Sequence, residues 1–257
     1  MIELDKIYNE DCLEGMKRIA DGAVDCIITD LPYGVLNEQS EGGSWDSIIP
    51  LEPMWEQFKR VTKPNAAIVL FCQGMFTAKL MMSQPKMWRY NLIWDKSIKT
   101  GFLNANRMPM RRHEDIAVFY QQLPTYNPQM TKGDQHRRNC GTGRKQKAVN
   151  RCYGDYPTTP PTDSDEFFPT SIIDISRGNS VEVFKHPTQK PVDLLRYLIL
   201  TYSNEGDTIL DATIGSGTTA VAALMEKRHF IGFETNKEYF DIAQGRIDEI
   251  RRNPTLF

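Results

Sequence analysis

The longest apolar run, residues 66–71 (AAIVLF), is far too short to cross a bilayer, and the opening residues MIELDK offer no apolar signal region. These absences lead us to expect a cytoplasmic protein with no membrane partner. Cysteine is sparse: Cys12, Cys26, Cys72, Cys140 and Cys152 are odd in number and lack a CxxC spacing, which argues for reduced, structural thiols. His136, Cys140 and Cys152 match no standard zinc spacing, so no metal is expected. A formal net charge of −2 excludes a polycation, so a polyanionic partner would have to be met by a local patch. No internal repeat is present.

What is there suits a large core. Of the 257 residues, 40% are hydrophobic and 25% charged, enough for one domain or one domain with an insertion. The basic residues are unevenly spread. Between Met130 and Cys152 stand Lys132, Arg137, Arg138, Arg144, Lys145, Lys147 and Arg151 against the single acid Asp134, and the next acids (Asp155, Asp163, Asp165, Glu166) are segregated beyond them. A charge run is usually a solvated loop, but this segregation favours a binding strip.

Hydrophobic periodicity alternates strand and helix. Strands are expected at residues 6–9, 24–29, 66–72, 91–94 and 116–120, and helices at 11–20, 51–61 and 75–83. Asp11 suits the cap of the first helix, and a loop with Gly42, Gly43 and Trp45 follows the second strand. The rhythm stops near Gln121. From there to about Ser180 the chain is rich in Pro, Gly, Asn and charge, with short apolar pieces such as residues 171–175. We expect an insertion at 121–180 between a catalytic part (1–120) and a cofactor-binding part (181–257) of one domain. The pattern resumes with a helix carrying Leu194, Leu195, Leu198 and Ile199 and Pro191 in its first turn, strands at 208–210 and 229–233, a helix after the glycine turn, and a helix at 237–252.

Two motifs fall at strand ends. Thr29-Asp30-Leu31-Pro32-Tyr33-Gly34 leaves the second strand at its carboxyl edge, where open α/β sheets place their chemistry. A carboxylate, a backbone carbonyl and a ring in succession suit a planar, amino-bearing heterocycle such as a nucleobase; taken alone, the string could be a strand ending in a Pro turn. The second motif is Gly215-x-Gly217-x-x-Ala220 between a strand and a helix, with Glu234 ending the next strand. That pattern fits an adenosine-containing cofactor: glycines admit the ligand, the helix amino end presents free N–H groups, and the acid takes ribose hydroxyls. Asp211 stands four residues before Gly215 with no basic group beside it, which fits a cationic ammonium better than the pyrophosphate of NAD. S-adenosylmethionine offers an adenine, a ribose, an ammonium and a carboxylate for Asp11, Glu234, Asp211 and the helix amino end.

Together these motifs resemble the amino-methyltransferases of DNA in their β-group order: a (D/S)PPY motif first, a target-recognition insertion next, and a DPFxGSGTT cofactor motif last. They stand here as Asp30-Leu31-Pro32-Tyr33 and Asp211-Ala212-Thr213-Ile214-Gly215-Ser216-Gly217-Thr218-Thr219. His186-Pro187-Thr188-Gln189-Lys190-Pro191 resembles the motif before the cofactor loop, and residues 91–96 and 111–120 resemble the middle motifs. Leu31 departs from the first proline of the family, but the role there belongs to a main-chain carbonyl, which leucine retains.

The resemblance implies a Rossmann-like S-adenosylmethionine-dependent methyltransferase sheet in circularly permuted order. It implies catalytic roles for Asp30, Leu31, Pro32 and Tyr33. Cofactor contacts would come from Asp11, Cys12, Asp30, His186, Thr188, Gln189, Lys190, Asp211, Thr213, Gly215, Ser216, Gly217, Thr218, Thr219 and Glu234. Arg107, Arg111 and Arg112, with the basic residues from Lys132 to Arg151, would lie on DNA, double-stranded in the first instance; a homodimer is compatible with the sequence, which does not tell whether a partner nuclease exists. Asp30 in place of the serine of many cytosine-N4 enzymes favours adenine-N6 methylation of a flipped base; cytosine-N4 methylation and a non-catalytic DNA-binding relative are the alternatives.

Overall fold

The computed structural model describes residues 2–34, 47–132, 166–176 and 189–253, and the chain divides into two units, Met1–Asn127 with Ser171–Phe257, and Pro128–Thr170. Within the first unit, strands β1 (Lys6–Tyr8), β2 (Val24–Asp30), β3 (Thr62–Cys72), β4 (Trp88–Thr100), β5 (Arg111–Phe119), β8 (Ile172–Asp174), β9 (Thr208–Asp211) and β10 (His229–Phe233) form one sheet in the order β1-β10-β9-β2-β3-β5-β4-β8. Every neighbouring pair is parallel except those made by β5, which runs against β3 and β4. The second unit holds β6 (Thr131–Lys132) and β7 (Glu166–Phe167), an antiparallel pair with Thr131 opposite Phe167.

Alternation along the central strands explains the layering. Cys26 and Ile28 of β2, with Ala67, Val69 and Phe71 of β3, face one core with α4 (Val192–Tyr202), α5 (Thr218–Met225) and α6 (Lys237–Arg252). Ile27, Ile68, Leu70 and Cys72 face the other, against α1 (Cys12–Met16), α2 (Leu51–Val61) and α3 (Met75–Ser83). A strand buried on both faces must be apolar throughout, which is why β2 and β3 read as near-continuous hydrophobic runs. No helix among the described residues is long and apolar enough to cross a membrane.

Helices α2, α3 and α6 and strand β10 have the boundaries expected from periodicity. The first helix is shorter, ending at Met16 rather than residue 20: the amides of Lys17, Arg18 and Ile19 bond three residues back, to the carbonyls of Glu14, Gly15 and Met16, and the Arg60 guanidinium also donates to the carbonyls of Met16 (2.6 Å) and Ile19 (2.8 Å). Pro191 is the cap of α4 rather than a first-turn residue: its ψ is 141° and its carbonyl accepts from Leu194 N at 3.2 Å.

Candidate active site

Strands β2 and β9 lie side by side at the centre of the sheet. The chain runs outward from β9 to β10 and from β2 to β3, so a crevice opens at their carboxyl ends. It is a cavity of about 520 Å³, within the range of small-molecule sites. Of the residues expected to act, Asp11, Cys12, Asp30, Leu31, Pro32, Tyr33, Gln189, Lys190, Asp211, Thr213, Gly215, Ser216, Thr218, Thr219 and Glu234 all line it. Gly217 does not; it caps α5 in the left-handed region (φ 83°). A Cβ there would stand 2.8 Å from that of Ala243 on α6, so glycine is needed for helix packing as much as for a ligand.

One wall is built from β9, β10 and the turn between β9 and α5. Asp211 is 4% exposed; its Oδ2 accepts from the Thr219 hydroxyl at 2.6 Å and its Oδ1 from Thr213 N at 3.1 Å. Burial pushes its carboxyl up to about 6, against the pull of these donors and of the Thr29 hydroxyl. No cation is among its partners within the described residues. Glu234 is clamped by two main-chain amides, Gly215 N at 2.9 Å and Asn236 N at 2.7 Å; burial raises its pKa and these amides oppose the rise. Asp11 caps α1, accepting from Leu13 N at 2.8 Å and Glu14 N at 3.3 Å. Ser216 donates to Gln189 Oε1 at 3.1 Å, and Arg246 on α6 donates to the Ser216 carbonyl at 2.8 Å.

The opposite wall is the Asp30 turn. Tyr33 donates its hydroxyl to Asp30 Oδ1 at 2.7 Å, while Lys190 pairs with Oδ2. The Tyr33 ring rests on Phe76 with centroids 5.4 Å apart. The walls are tied together: the Thr213 hydroxyl donates to the Asp30 carbonyl at 2.9 Å and bonds the Thr29 hydroxyl at 2.8 Å.

Sequence reasoning gave no role to Glu114 or Lys96. Glu114 on β5 takes Lys96 of β4 at 3.0 Å on Oε1 and lies 3.5 Å from Lys190 on Oε2. Lys190 in turn stands 5.0 Å from the centre of the Phe71 ring. Burial would raise the Glu114 carboxyl, but Lys190 and Lys96 outweigh it and hold the carboxyl below its ordinary value. Lys190 would lose its proton on burial, yet Asp30 and Glu114 raise its pKa instead. A signal was available: Lys96 continues the inward register of Leu92 and Trp94 and is only 4% exposed, so a lysine stands where the pleat puts a core residue.

Arg107, Arg111 and Arg112 are exposed on the β4–β5 hairpin, Arg112 donating to Asp95 at 2.7 Å; Lys132 is exposed in the second unit. Arg137, Arg138, Arg144, Lys145, Lys147 and Arg151, together with His136, Cys140, Cys152, His186 and Thr188, lie outside the described residues. Cys12, Cys26 and Cys72 are free and buried, and burial raises all three thiol pKa values, Cys12 and Cys72 to about 12, far from nucleophilic use.

A family model described as DNA methylase matches residues 24–245. Type II methyltransferase M.HpaI of Haemophilus parainfluenzae is 26% identical over 250 residues, which are 95% of this chain and 74% of that protein. DNA adenine methyltransferase YhdJ of Escherichia coli is 27% identical over 266 residues, 96% of this chain and 83% of that one. Among solved structures, the complex of M1.HpyAVI with SAM superposes over 95% of this chain and 98% of its own with a TM-score of 0.63 at 24% identity. PvuII DNA methyltransferase (cytosine-N4-specific) covers 96% and 91% with a TM-score of 0.68 at 14% identity. At those identities the structural likeness is one of fold.

Proposed function

The chain belongs to the DNA methylase family, the S-adenosylmethionine-dependent amino-methyltransferases of adenine N6 and cytosine N4, and from that premise we propose that it methylates the N6 of an adenine swung out of duplex DNA. The observation that carries the proposal is the shared cavity: Asp30, an acceptor for an amino group, faces the same space as Asp211 and Glu234 and is tied to the cofactor turn through Thr213.

The residues present fit the cofactor. Asp211 is a buried carboxylate with no cation beside it among the described residues, suited to the methionine ammonium; Glu234 would take the ribose hydroxyls, and the α5 amino end with Ser216 and Thr218 the methionine carboxylate. Asp11 and Cys12 would lie at the adenine, and Gln189 would brace the turn through Ser216. When bound, S-adenosylmethionine supplies a methyl group on a cationic sulfur, open to in-line displacement by the amino nitrogen.

That nitrogen is a poor nucleophile because its lone pair is delocalised into the ring. Asp30 and the Leu31 carbonyl would accept its two hydrogens, so that the lone pair is freed and aimed. Tyr33 and Lys190 fix the two Asp30 oxygens and leave each a lone pair. As the nitrogen turns cationic, its proton passes to Asp30 or to water. No covalent enzyme intermediate is needed. Flipping the base costs a few kcal/mol, and stacking on Tyr33 would return about 1–3 kcal/mol of it. Arg107, Arg111 and Arg112, with Lys132 and the basic run to Arg151, would mainly contact phosphate.

Asp30 and the adenine specificity in YhdJ's name favour adenine over cytosine. The relatives named type II methyltransferases favour a modification role with a companion nuclease. Mass spectrometry of nucleosides from unmethylated DNA incubated with protein and S-adenosylmethionine tests the reading. N6-methyladenine that disappears with Asp30→Ala is expected; N4-methylcytosine would overturn the base assignment, and no methylated base would overturn the proposal.

A further inference from the structure

The β4–β5 hairpin rises above the cavity edge. Its strands run well past the buried sheet: Asp115 pairs with Cys72 near the level of Asp30, whereas Arg111 pairs with Thr100. Four residues of strand carry the chain about 13 Å further, and two strand spacings set β5 about 10 Å sideways from β2. At the tip, Gly101 takes a left-handed φ of 90° and starts a short 3₁₀ turn, Phe102–Asn104. The turn is internally bonded: Ala105 N donates to the Phe102 carbonyl at 3.0 Å, and Arg107 N (2.9 Å) and Met108 N (3.0 Å) donate to that of Asn104.

This firm turn presents apolar side chains to solvent. Leu103 is 92% exposed, Phe102 78% and Met108 59%. Large apolar side chains gathered on one exposed turn suit a contact surface. From Ser97 to Arg112 there is no acidic residue, and Lys99, Arg107, Arg111 and Arg112 are basic. Four cations with no acid among them favour a polyanion over a protein partner. A lipid surface would accept the same residues but gains nothing from their place above the cavity. Duplex DNA matches both halves, with phosphates for the cations and a base stack for the apolar tip.

We propose that the β4–β5 turn is a wedge: Leu103, backed by Phe102, enters the base stack where the target nucleotide leaves it, while Arg107 and Arg111 hold the flanking phosphates. Leucine and phenylalanine are residues that proteins insert between base steps. The wedge would fill the gap and slow the base's return, which raises the population of the extruded state facing Asp30. Asn104 and Asn106 beside it have the amide groups to meet the orphaned base.

The inference rests on the methyltransferase reading, and the test separates the two. Methylation by the unaltered protein is first mapped on plasmid DNA to find its site. Single-turnover rates are then measured for that protein and the Phe102→Ser/Leu103→Ser variant on two oligonucleotide duplexes, one matched and one with an abasic position opposite the target. The variant is expected to lose at least tenfold on the matched duplex and to come within threefold of the unaltered protein on the abasic one, where no partner base must be left. Its S-adenosylmethionine affinity and melting temperature should be unchanged, which excludes misfolding. A full rate on the matched duplex, or an equal loss on both, would overturn the wedge while leaving the methyltransferase intact. Absence of methylation by the unaltered protein would remove both.

Discussion

Glu114 turns its Oε2 toward Lys190, 3.5 Å from the ammonium, and that oxygen has no hydrogen bond among the described residues. The carboxylate therefore acts on Lys190 by charge. Lys190 carries its own charge to Asp30, so the acid expected to meet the amino group is held by a relay from β5.

Glu114→Gln would leave Lys96 without its carboxylate partner and Lys190 with Asp30 alone. Removing one member of a buried ionic set costs about 3–5 kcal/mol, or a fall in melting temperature of roughly 6–20 °C for a domain this size. The sign with pH follows from the lowered carboxyl. The contribution of Glu114 is complete above its ordinary value of 4.5 and is lost as pH falls through the lower folded value. Thermal melts from pH 3.5 to 8 should show a full gap between the two proteins at neutral pH that narrows below 4.5. A gap independent of pH would contradict the electrostatic account.

Asp211 is the opposite case, an acid raised from 3.8 to about 6. Its protonated form is favoured by folding, so this contribution is full below 3.8 and is lost as pH rises through 6, a total of about 3 kcal/mol. Asp211→Asn should raise the melting temperature of the cofactor-free protein by several degrees at pH 7.5, give no gain at pH 4, and abolish S-adenosylmethionine binding. In the unaltered protein, titration calorimetry should find cofactor affinity weakening as pH falls through 6, by up to about tenfold per unit.

The two glycines of the cofactor turn should respond differently to alanine. At Gly215 (φ 54°) an added Cβ meets nothing within 4 Å, so Gly215→Ala should cost about 1–2 kcal/mol of backbone strain. At Gly217 the same strain is joined by a 2.8 Å approach to Ala243, and about 2–4 kcal/mol is expected. Denaturant titration of both variants checks the order.

Tyr33 combines a ring with a donor. Tyr33→Phe keeps the ring and loses the bond to Asp30, and a fall in transfer rate of about tenfold is expected. Tyr33→Ala also loses the stacking surface and should fall about another tenfold to a hundredfold. Cofactor affinity should hold in both, and a parallel loss of affinity would make Tyr33 a structural residue.

Arg107→Ala with Arg111→Ala should flatten the salt dependence of DNA binding. Two lost phosphate contacts reduce the slope of log K against log salt by about 2. Binding across a range of chloride concentrations, on any duplex, is sufficient.

Much of this was legible in sequence because the buried strands carry their own period. The ends of β2, β9 and β10, and with them Asp30, Asp211 and Glu234, could be placed from apolar runs alone. Other features were not. Strands β4 and β5 outrun the apolar stretches at 91–94 and 116–120 because their outer halves are exposed and pair through main chain, which leaves no hydrophobic trace. Residues 171–175 read in sequence as part of the insertion, whereas Ile172–Asp174 lies beside β4 as an edge strand too short to show a pattern. The first helix stops at Met16 because the chain tightens there to three-residue bonds, which hydrophobic spacing does not record. The set of Glu114, Lys96 and Lys190 draws on three separate segments, and only the fold brings them together.

The bond between Thr213 and Asp30 joins residues 183 positions apart. On a ribosome adding about 5–20 residues per second, the second partner appears roughly 10–40 s after the first. For that interval the edge of β2 that will meet β9 has no strand to pair with, and the acid that ends it has no cofactor turn beside it. The proposed active centre is thus completed only late in synthesis, and a message broken before the glycine turn would yield a chain that lacks one wall of it.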